Sequence, residues 1–280
     1  MTLASGQKTP SQLAIDQTNL YWTNGGNLGQ SNGSVMSFPV GGGSPTTIAA
    51  SQLNPYGVAI DSTTVYWIVS YGGGWISKAP IGGGIVDVVV PNQYNATQLV
   101  RGGSTLFWVR QAAGEVLSAP TTGGSPVLLA SGQNLPSQLA VDSQFLYWTN
   151  YSGTNSIMRV PVGGGTPTVL VTNQNGPAPL AVDGTSIYWS GYDGSLKKAP
   201  VGGGAPTILV AAQPLSGSAI ALDATDIYWA RGTRIEKVAK SGGAVTPLLV
   251  GVAPGAIVVD ATSLYLTDPS AGKVMKLTPK

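Results

Sequence analysis

The chain has 280 residues and a formal net charge of +2, and only 9% of its residues are charged. This near-neutral balance without a basic run argues against nucleic-acid binding, while 42% hydrophobic residues and seven tryptophans argue against disorder. The lack of cysteine and histidine excludes disulfides, thiolate metal sites and Ser-His-Asp or Cys-His catalysis. Short apolar runs alternate with glycine- and proline-rich turns, which is typical of an all-β protein.

An aromatic pair recurs along the whole chain and defines a tandem repeat. Successive copies are 45, 41, 40, 41, 40 and 37 residues apart. An aspartate lies five residues before the pair in every copy except the third, where Gly102 takes its place. The seven copies are Tyr21-Trp22, Tyr66-Trp67, Phe107-Trp108, Tyr147-Trp148, Tyr188-Trp189, Tyr228-Trp229 and Tyr265-Leu266.

Each repeat predicts four short antiparallel strands, which we name A to D. In the fourth repeat the predicted strands cover residues 138–141, 145–148, 156–160 and 168–171. The recurrent aspartate falls in the A–B turn, where its side chain can accept bonds from backbone amides, and a glycine run falls in the C–D turn. Four antiparallel strands in a repeat of about 40 residues predict one blade of a β-propeller.

The two ends of the chain predict that the propeller is closed. The last repeat supplies strands A, B and C, the last of them at residues 273–277. Its missing strand D is matched by residues 2–7, which resemble residues 128–133 at the end of the third repeat. We therefore expect a single all-β domain, 1–280, folded as a seven-bladed β-propeller of four-stranded antiparallel blades, in which the N-terminal strand completes the last blade, 254–280.

The strand B sequences Tyr147-Trp148-Thr149-Asn150, Tyr21-Trp22-Thr23-Asn24 and Tyr265-Leu266-Thr267-Asp268 resemble the YWTD repeat of low-density-lipoprotein-receptor-type propellers. The resemblance implies propeller architecture, and bacterial propellers of the NHL type look similar as well. Two features depart from the YWTD family, whose domains have six blades and whose repeat ends in an aspartate that most copies here replace. The receptor–ligand role of that family is therefore not carried over.

The remaining side chains predict no catalytic residue, no metal site and no cofactor. Of twelve carboxylates, six are the recurrent turn aspartates, which we expect to be structural and too far apart for acid–base catalysis. No Asp-x-Asp cluster marks a calcium loop, and calcium binding is left open. The aromatic pairs on strand B point to both sides of a covered blade, so we expect them in the core. Tyr71 and Trp75 lie outside the repeat in a glycine-rich loop, and we expect them to be exposed.

A ligand site is predicted on the face that carries the B–C and D–A loops, which we name the loop face. These loops differ between repeats, whereas the A–B and C–D turns of the opposite face, the turn face, are uniform. Two rings of aligned positions, at the end of strand B and the start of strand A, are rich in polar residues; ordinary solvated loop ends are the alternative interpretation. The candidate ligand-binding residues are Gln12, Asn24, Tyr56, Tyr71, Trp75, Gln98, Arg110, Gln111, Gln138, Asn150, Tyr151, Tyr192, Asp193, Arg231 and Asp268.

Three hypotheses for function follow from this pattern. The leading one is a non-catalytic binding or scaffold propeller that recognises a polar small molecule, a glycan or a protein on the loop face, for example as a lectin. The alternatives are a lyase-type enzyme, which requires a tyrosine within hydrogen-bond reach of Arg110 or Arg231, and a structural repeat protein without a specific ligand. No apolar run is long enough for membrane insertion. Sparse charge and abundant amide and hydroxyl side chains favour a secreted, periplasmic or cell-surface location, although residues 1–5 lack the features of a signal sequence.

Overall fold

The computed structural model describes residues 1–280 as strands β1 to β28 and one short 3-10 helix, Gln111–Ala113. The strands of the first three blades are β2 (Pro10–Ile15), β3 (Asn19–Asn24), β4 (Gly33–Pro39), β5 (Thr46–Gln52), β6 (Pro55–Ile60), β7 (Thr64–Val69), β8 (Trp75–Pro80), β9 (Asp87–Val90), β10 (Ala96–Gly102), β11 (Thr105–Arg110), β12 (Glu115–Pro120) and β13 (Val127–Ala130). Those of the next three blades are β14 (Pro136–Val141), β15 (Phe145–Asn150), β16 (Ile157–Pro161), β17 (Thr168–Val171), β18 (Leu180–Val182), β19 (Ser186–Ser190), β20 (Leu196–Pro200), β21 (Thr207–Val210), β22 (Gly217–Leu222), β23 (Asp226–Arg231), β24 (Arg234–Ala239) and β25 (Thr246–Val250). The last blade consists of β26 (Ile257–Val259), β27 (Leu264–Asp268), β28 (Lys273–Leu277) and β1 (Thr2–Ala4). None of the helical structure in the chain is long and apolar enough to cross a membrane.

Each blade is a separate four-stranded antiparallel sheet, which confirms the predicted seven-bladed β-propeller. The A strands of neighbouring blades contact one another around the whole ring. In the last blade the order is β26-β27-β28-β1, so the N-terminal strand takes the place of strand D, as predicted. Thr2 lies opposite Met275 and Ala4 lies opposite Val274. This strand ends earlier than the predicted range 2–7, because Gly6 turns the chain with a positive φ of 65°.

The innermost strands of five blades carry a β-bulge close to the loop face. In the second blade the register shifts between Tyr56 and Val58, and comparable shifts occur in the first, third, fourth and sixth blades. A bulge changes the direction in which the neighbouring side chains point. In the fourth blade, the strand that carries the bulge is longer than the sequence predicts. It begins at Pro136 instead of Gln138.

The repeated aromatic pairs form the core between blades, as expected from their position on strand B. The six repeat tryptophans have no exposed surface, and the tyrosines and phenylalanine of the pairs are at most 3% exposed. Trp148, for example, belongs to one cluster with Phe107, Val116 and Leu129 of the preceding blade. Each tryptophan therefore fills the gap between its own blade and its neighbour.

A glutamine that precedes the tryptophan by fifteen residues joins neighbouring blades. The indole N–H of Trp67 donates to Oε1 of Gln52 at 3.1 Å, and the first, third and fourth blades make the same bond. Because the glutamine stands at the end of strand D of the preceding blade or shortly after it, the bond from Trp22 to Gln7 ties the first blade to the last. The fifteen-residue spacing is visible in the sequence, but it cannot be recognised from the aromatic and aspartate positions alone.

The recurrent aspartate fixes the A–B turn and anchors the repeat tyrosine at the same time. In the second blade, Oδ1 of Asp61 accepts the backbone amides of Thr63 and Thr64 at 2.8 Å, and Oδ2 accepts the hydroxyl of Tyr66 at 2.8 Å. The same three bonds form in all six blades that have the aspartate. These aspartates therefore have the expected structural role. Each one stabilises the A–B turn and also accepts the hydrogen bond of the repeat tyrosine's hydroxyl.

The third blade loses both members of this pair together. Phe107 has no hydroxyl that requires an acceptor, and Gly102 stands where the aspartate would be. A Cβ atom on Gly102 would lie 2.9 Å from Cγ2 of Val141, so an aspartate has no room. Arg101 fills the gap instead, donating from Nε to the carbonyl oxygen of Ile60 at 2.6 Å.

We expect the stability of the fold to fall as the pH rises from about 10 to about 12. Burial, and then the hydrogen bond and charge of the paired aspartate, raise the pKa of Tyr21, Tyr188 and Tyr265 to about 12. Tyrosine in an unfolded chain titrates near pH 10. Over this interval the folded state holds more protons than the unfolded state, so alkali favours unfolding.

Urea unfolding midpoints at about pH 9 and about pH 11 measure this effect. The Tyr188→Phe variant lacks one of the titrating hydroxyls and should lose part of the pH dependence. Equal midpoints for the unmodified protein at the two pH values would contradict the assignment.

Candidate functional site

The seven innermost strands enclose a central channel with a volume of about 400 Å³. At the loop face its mouth is lined by polar residues from the starts of the A strands, whereas Leu13, Val58 and Leu139 contribute to the walls further in. The polar residues at the mouth are Gln12, Tyr56, Gln98, Gln138 and Ser218. All but Ser218 are among the sequence-predicted candidates, and the fold brings them together from four blades.

The glutamine side chains at the mouth are barely used by the fold itself. Nε2 of Gln12 donates to the hydroxyl of Tyr56 in the neighbouring blade at a long 3.5 Å. The side-chain amides of Gln98 and Gln138 make no hydrogen bond within the protein, and Ser218 donates to the carbonyl oxygen of Pro254 at 3.1 Å. Each free amide offers two donors and one acceptor with two lone pairs. The mouth is therefore a ring of available hydrogen-bonding groups.

Gln98 occupies a backbone conformation that disfavours its side chain. Its φ is +51°, and it stands at the bulge where the second blade has Gly57, whose φ is +59°. Left-handed backbone costs a residue with a Cβ about 1–2 kcal/mol, whereas glycine adopts it freely. A glutamine held in this conformation at a channel mouth is the kind of local strain that clusters at functional sites.

The mouth of the channel contains no charged residue. Arg101, at the turn-face end, is the single charged residue in its lining. Its guanidinium donates to the carbonyl oxygens of Ile60 and Gly103 and is committed to the A–B turn. The mouth therefore carries no formal charge of its own.

The second predicted ring, at the end of strand B, is mostly buried and engaged within the protein. Nδ2 of Asn24 donates to Gln7 at 2.8 Å and to Ser34 at 3.0 Å, and Asn150 bonds its own neighbours in the same way. The carboxylate of Asp268 accepts the hydroxyl of Ser270 at 2.7 Å. These positions lie on the loop face, but the Nδ2 groups of the two asparagines and the carboxylate of Asp268 hold the D–A and B–C connections in place.

Both arginines of this ring are neutralised by glutamates five residues further along the chain. Arg110 bonds Glu115, with Nε 2.7 Å from Oε2, and Nη2 of Arg231 lies 3.0 Å from Oε2 of Glu236. Arg231 also donates to the carbonyl oxygen of Pro214 at 2.7 Å and is only 9% exposed. No tyrosine hydroxyl is among the partners of either guanidinium, so the arginine–tyrosine arrangement that the lyase alternative requires is not assembled.

The other predicted residues lie on the loop face outside the channel. Asp193 accepts two bonds from Ser195 and caps a turn, and Gln111 is the half-buried first residue of the 3-10 helix. The rings of Tyr151 and Tyr192 pack edge to face with centroids 5.0 Å apart. These four residues, Tyr71 and Trp75 do not reach the channel lining.

The tyrosines and tryptophans outside the repeat pairs are concentrated on one face of the propeller, and the sequence predicted only some of them. Tyr71 is 47% exposed, as expected, whereas Trp75 is half-buried. Tyr94, which sequence reasoning overlooked, is 60% exposed in the D–A connection after the second blade. The tyrosines and tryptophans outside the repeat pairs all lie on the loop face, and they are Tyr56, Tyr71, Trp75, Tyr94, Tyr151 and Tyr192.

No family model and no curated protein sequence matches this chain. Among solved structures it is similar to the WD40 β-propeller domain of Doa1, with 13% sequence identity, a TM-score of 0.78, and coverage of 100% of this chain and 96% of that one. It is also similar to a chain of the nidogen/laminin complex, with 17% identity, a TM-score of 0.58, and coverage of 89% and 88%. Both likenesses concern the fold. The chain is a seven-bladed β-propeller, an architecture that commonly serves as a binding or scaffold domain.

Proposed function

We propose that this protein is a non-catalytic binding propeller that recognises a neutral, hydrogen-bonding ligand at the channel mouth on the loop face. The observation that carries the proposal is the convergence of Gln12, Gln98 and Gln138 on one opening, with the amides of the last two unused by the fold. The fold does not need an amide side chain at these positions, so alanine or glycine would be sufficient for stability. Gly57, at the equivalent position of the second blade, shows that glycine is compatible with the strand.

The chemistry of the mouth selects the ligand class. Amide groups donate and accept hydrogen bonds without charge, which suits sugar hydroxyls or peptide amides. A charged ligand at the mouth would meet no counter-charge there, because Arg101, the one charged residue of the lining, lies at the far end of the channel. A neutral polar ligand fits a channel of about 400 Å³ whose mouth is lined by uncharged hydrogen-bonding groups.

Two features of the carboxylates and arginines support the non-catalytic part of the proposal. Arg110 and Arg231 are paired with glutamates, and the six turn aspartates are bonded to tyrosine hydroxyls on the turn face. The proposal also includes a location outside the cytoplasm, because the sequence combines sparse charge with abundant amide and hydroxyl side chains.

We expect Gln98→Gly to raise the free energy of unfolding by about 1 kcal/mol, because glycine relieves the left-handed strain. The same change and Gln138→Ala should each weaken ligand binding about three- to tenfold through the loss of hydrogen bonds. Urea unfolding measures the first effect. Thermal-shift screening of neutral mono- and disaccharides and short neutral peptides, followed by titration calorimetry, measures the second.

Gln144→Ala is the matched control, because Gln144 is an exposed glutamine in an A–B turn on the opposite face. It should leave affinity unchanged. The proposal fails if no compound of the panel shifts the melting temperature, or if the affinity for a ligand that does bind is the same in the two mouth variants and the control.

A further inference from the structure

A second concave site lies on the loop face, at the outer part of the second blade and away from the channel. It is a groove of about 350 Å³ between the B–C loop of this blade and the connection that leads to the third blade. Gly72, Gly73 and Gly74 contribute the backbone on one side, and the aromatic residues Trp75 and Tyr94 are part of the lining. The remaining lining residues are Val88, Pro91 and Asn92. None of the channel-lining residues takes part in it.

The glycine run keeps this groove open. Gly74 has a φ of +64°, and a Cβ there would lie 2.1 Å from the carbonyl oxygen of Gln93, so the two loops touch backbone to backbone. A Cβ on Gly73 would lie 4.0 Å from both Cζ3 of Trp75 and the hydroxyl oxygen of Tyr94. Gly73 therefore sits between the two aromatic side chains, and a larger residue would occupy the space between them.

Trp75 belongs to an apolar pair of residues at the loop-face end of strands B and C, where three other blades have a polar pair. The last residue of strand B faces the first residue of strand C, and in the second blade these are Val69 and Trp75. Packing against the core cluster that contains Val69 accounts for the buried part of the indole but not for the part that lines the groove. The corresponding pairs in the first, third and last blades are Asn24 with Ser34, Arg110 with Glu115, and Asp268 with Lys273.

Tyr94 has no structural task of its own. It is 60% exposed and its hydroxyl makes no hydrogen bond within the protein, in contrast to the six repeat tyrosines. Asn92, whose side-chain amide is also free, stands beside it in a left-handed conformation with a φ of +59°. The groove thus combines two aromatic rings with an unused hydroxyl and an unused amide.

The geometry points to this groove as a binding site for a pyranose ring of a neutral glycan. An aromatic ring offers an apolar face to the C–H face of a sugar, and the free hydroxyl and amide can bond its hydroxyl groups. No lining residue is charged, so an anionic or cationic ligand would lack a partner. A purely aliphatic ligand would leave the hydroxyl of Tyr94 and the amide of Asn92 without a partner. The site is independent of the channel mouth and does not rest on the function proposed there.

Tryptophan fluorescence reports on this groove selectively. The six repeat tryptophans have no exposed surface, whereas Trp75 is partly exposed, so a quencher that does not enter the protein interior, such as iodide, should act mainly on Trp75. The probes are the neutral hexasaccharides cellohexaose, maltohexaose, xylohexaose and fully N-acetylated chitohexaose, each up to roughly 10 mM, ten times a dissociation constant of 1 mM. At least one of them should reduce the quenching of Trp75.

Variants then locate the bound sugar. Tyr94→Ala and Trp75→Ala should each weaken binding by about three- to tenfold in titration calorimetry, whereas Leu28→Ala should not. Leu28 is a suitable control because it is 75% exposed in the B–C loop of the first blade, outside both sites. Tyr94→Ala removes an exposed side chain without internal bonds, so it keeps the test valid even if Trp75→Ala fails to fold.

Two outcomes would overturn the inference. One is the absence of any protection of Trp75 by the four hexasaccharides. The other is a hexasaccharide that binds with the same affinity to Tyr94→Ala and Leu28→Ala and leaves the quenching of Trp75 unchanged. The second outcome would place the sugar elsewhere, and it would leave the proposal for the channel mouth standing.

Discussion

Trp148→Ala is expected to lower the free energy of unfolding by about 3–5 kcal/mol, the usual range for removal of a buried tryptophan from a core. Trp148 has no exposed surface and belongs to a cluster that extends into the preceding blade. Its indole N–H also donates to Gln133 at 3.1 Å. The substitution therefore leaves a cavity between two blades and removes one of the two hydrogen bonds that Oε1 of Gln133 accepts. Equilibrium unfolding in urea measures the loss.

Two further variants separate these contributions. Trp148→Phe keeps most of the volume and removes the hydrogen bond, so it should cost clearly less than Trp148→Ala. Trp75→Ala truncates a half-buried tryptophan and should also cost less. A loss from Trp148→Ala that is no larger than that from Trp75→Ala would contradict the assignment of the repeat tryptophans to the core between blades.

Deletion of residues 1–7 is expected to destabilise the protein by about 4 kcal/mol or more, because it opens the ring. The deletion removes β1, which pairs with β28 and buries Ala4 in the cluster that joins the first and last blades. It also removes Gln7, the acceptor for both Trp22 and Asn24. The backbone edge of β28 would then be unpaired and the apolar side chain of Val274 would lose its cover, so the truncated chain should associate in a concentration-dependent way.

The deletion can be tested by rescue. A synthetic peptide with the sequence of residues 1–7 should raise the melting temperature of the truncated chain by adding the missing strand, as in strand-addition complexes. A scrambled peptide of the same composition is the control. An unchanged urea midpoint after the deletion, or equal effects of the two peptides, would show that the terminal strand does not close the propeller.

Periodicity explains why so much of the fold could be predicted. An aromatic pair, an aspartate and a glycine turn that keep one register define strands and turns locally, and seven copies average out the irregularities of any one. The prediction of closure needed no long-range information either, because the segment 2–7 carries the sequence of a strand D. Only its end was placed too late, because a single glycine, Gly6, turns the chain.

The candidate site was harder to predict, because alignment places residues in a ring without deciding where their side chains go. Asn24, Arg110 and Arg231 occupy equivalent positions, but each is engaged by a partner in its own blade or in the preceding connection. By contrast, the side chains of Gln98 and Gln138 are also polar, but their amides remain free at the mouth. Polarity alone cannot separate these cases, because a polar side chain is available to a ligand only where no neighbouring residue of the protein forms a hydrogen bond with it.

The sequence by itself determined the all-β class, the seven blades, the terminal closure and the burial of the aromatic pairs, because each depends on the period of the pattern and on side-chain alternation along a strand. Only the tertiary structure decided which polar residues reach the channel and that Tyr94 joins Trp75 across the glycine run. Bulges, left-handed residues such as Gln98 and contacts between loops of adjacent blades set those positions. They arise from packing between segments distant in the chain, which a repeat register does not encode.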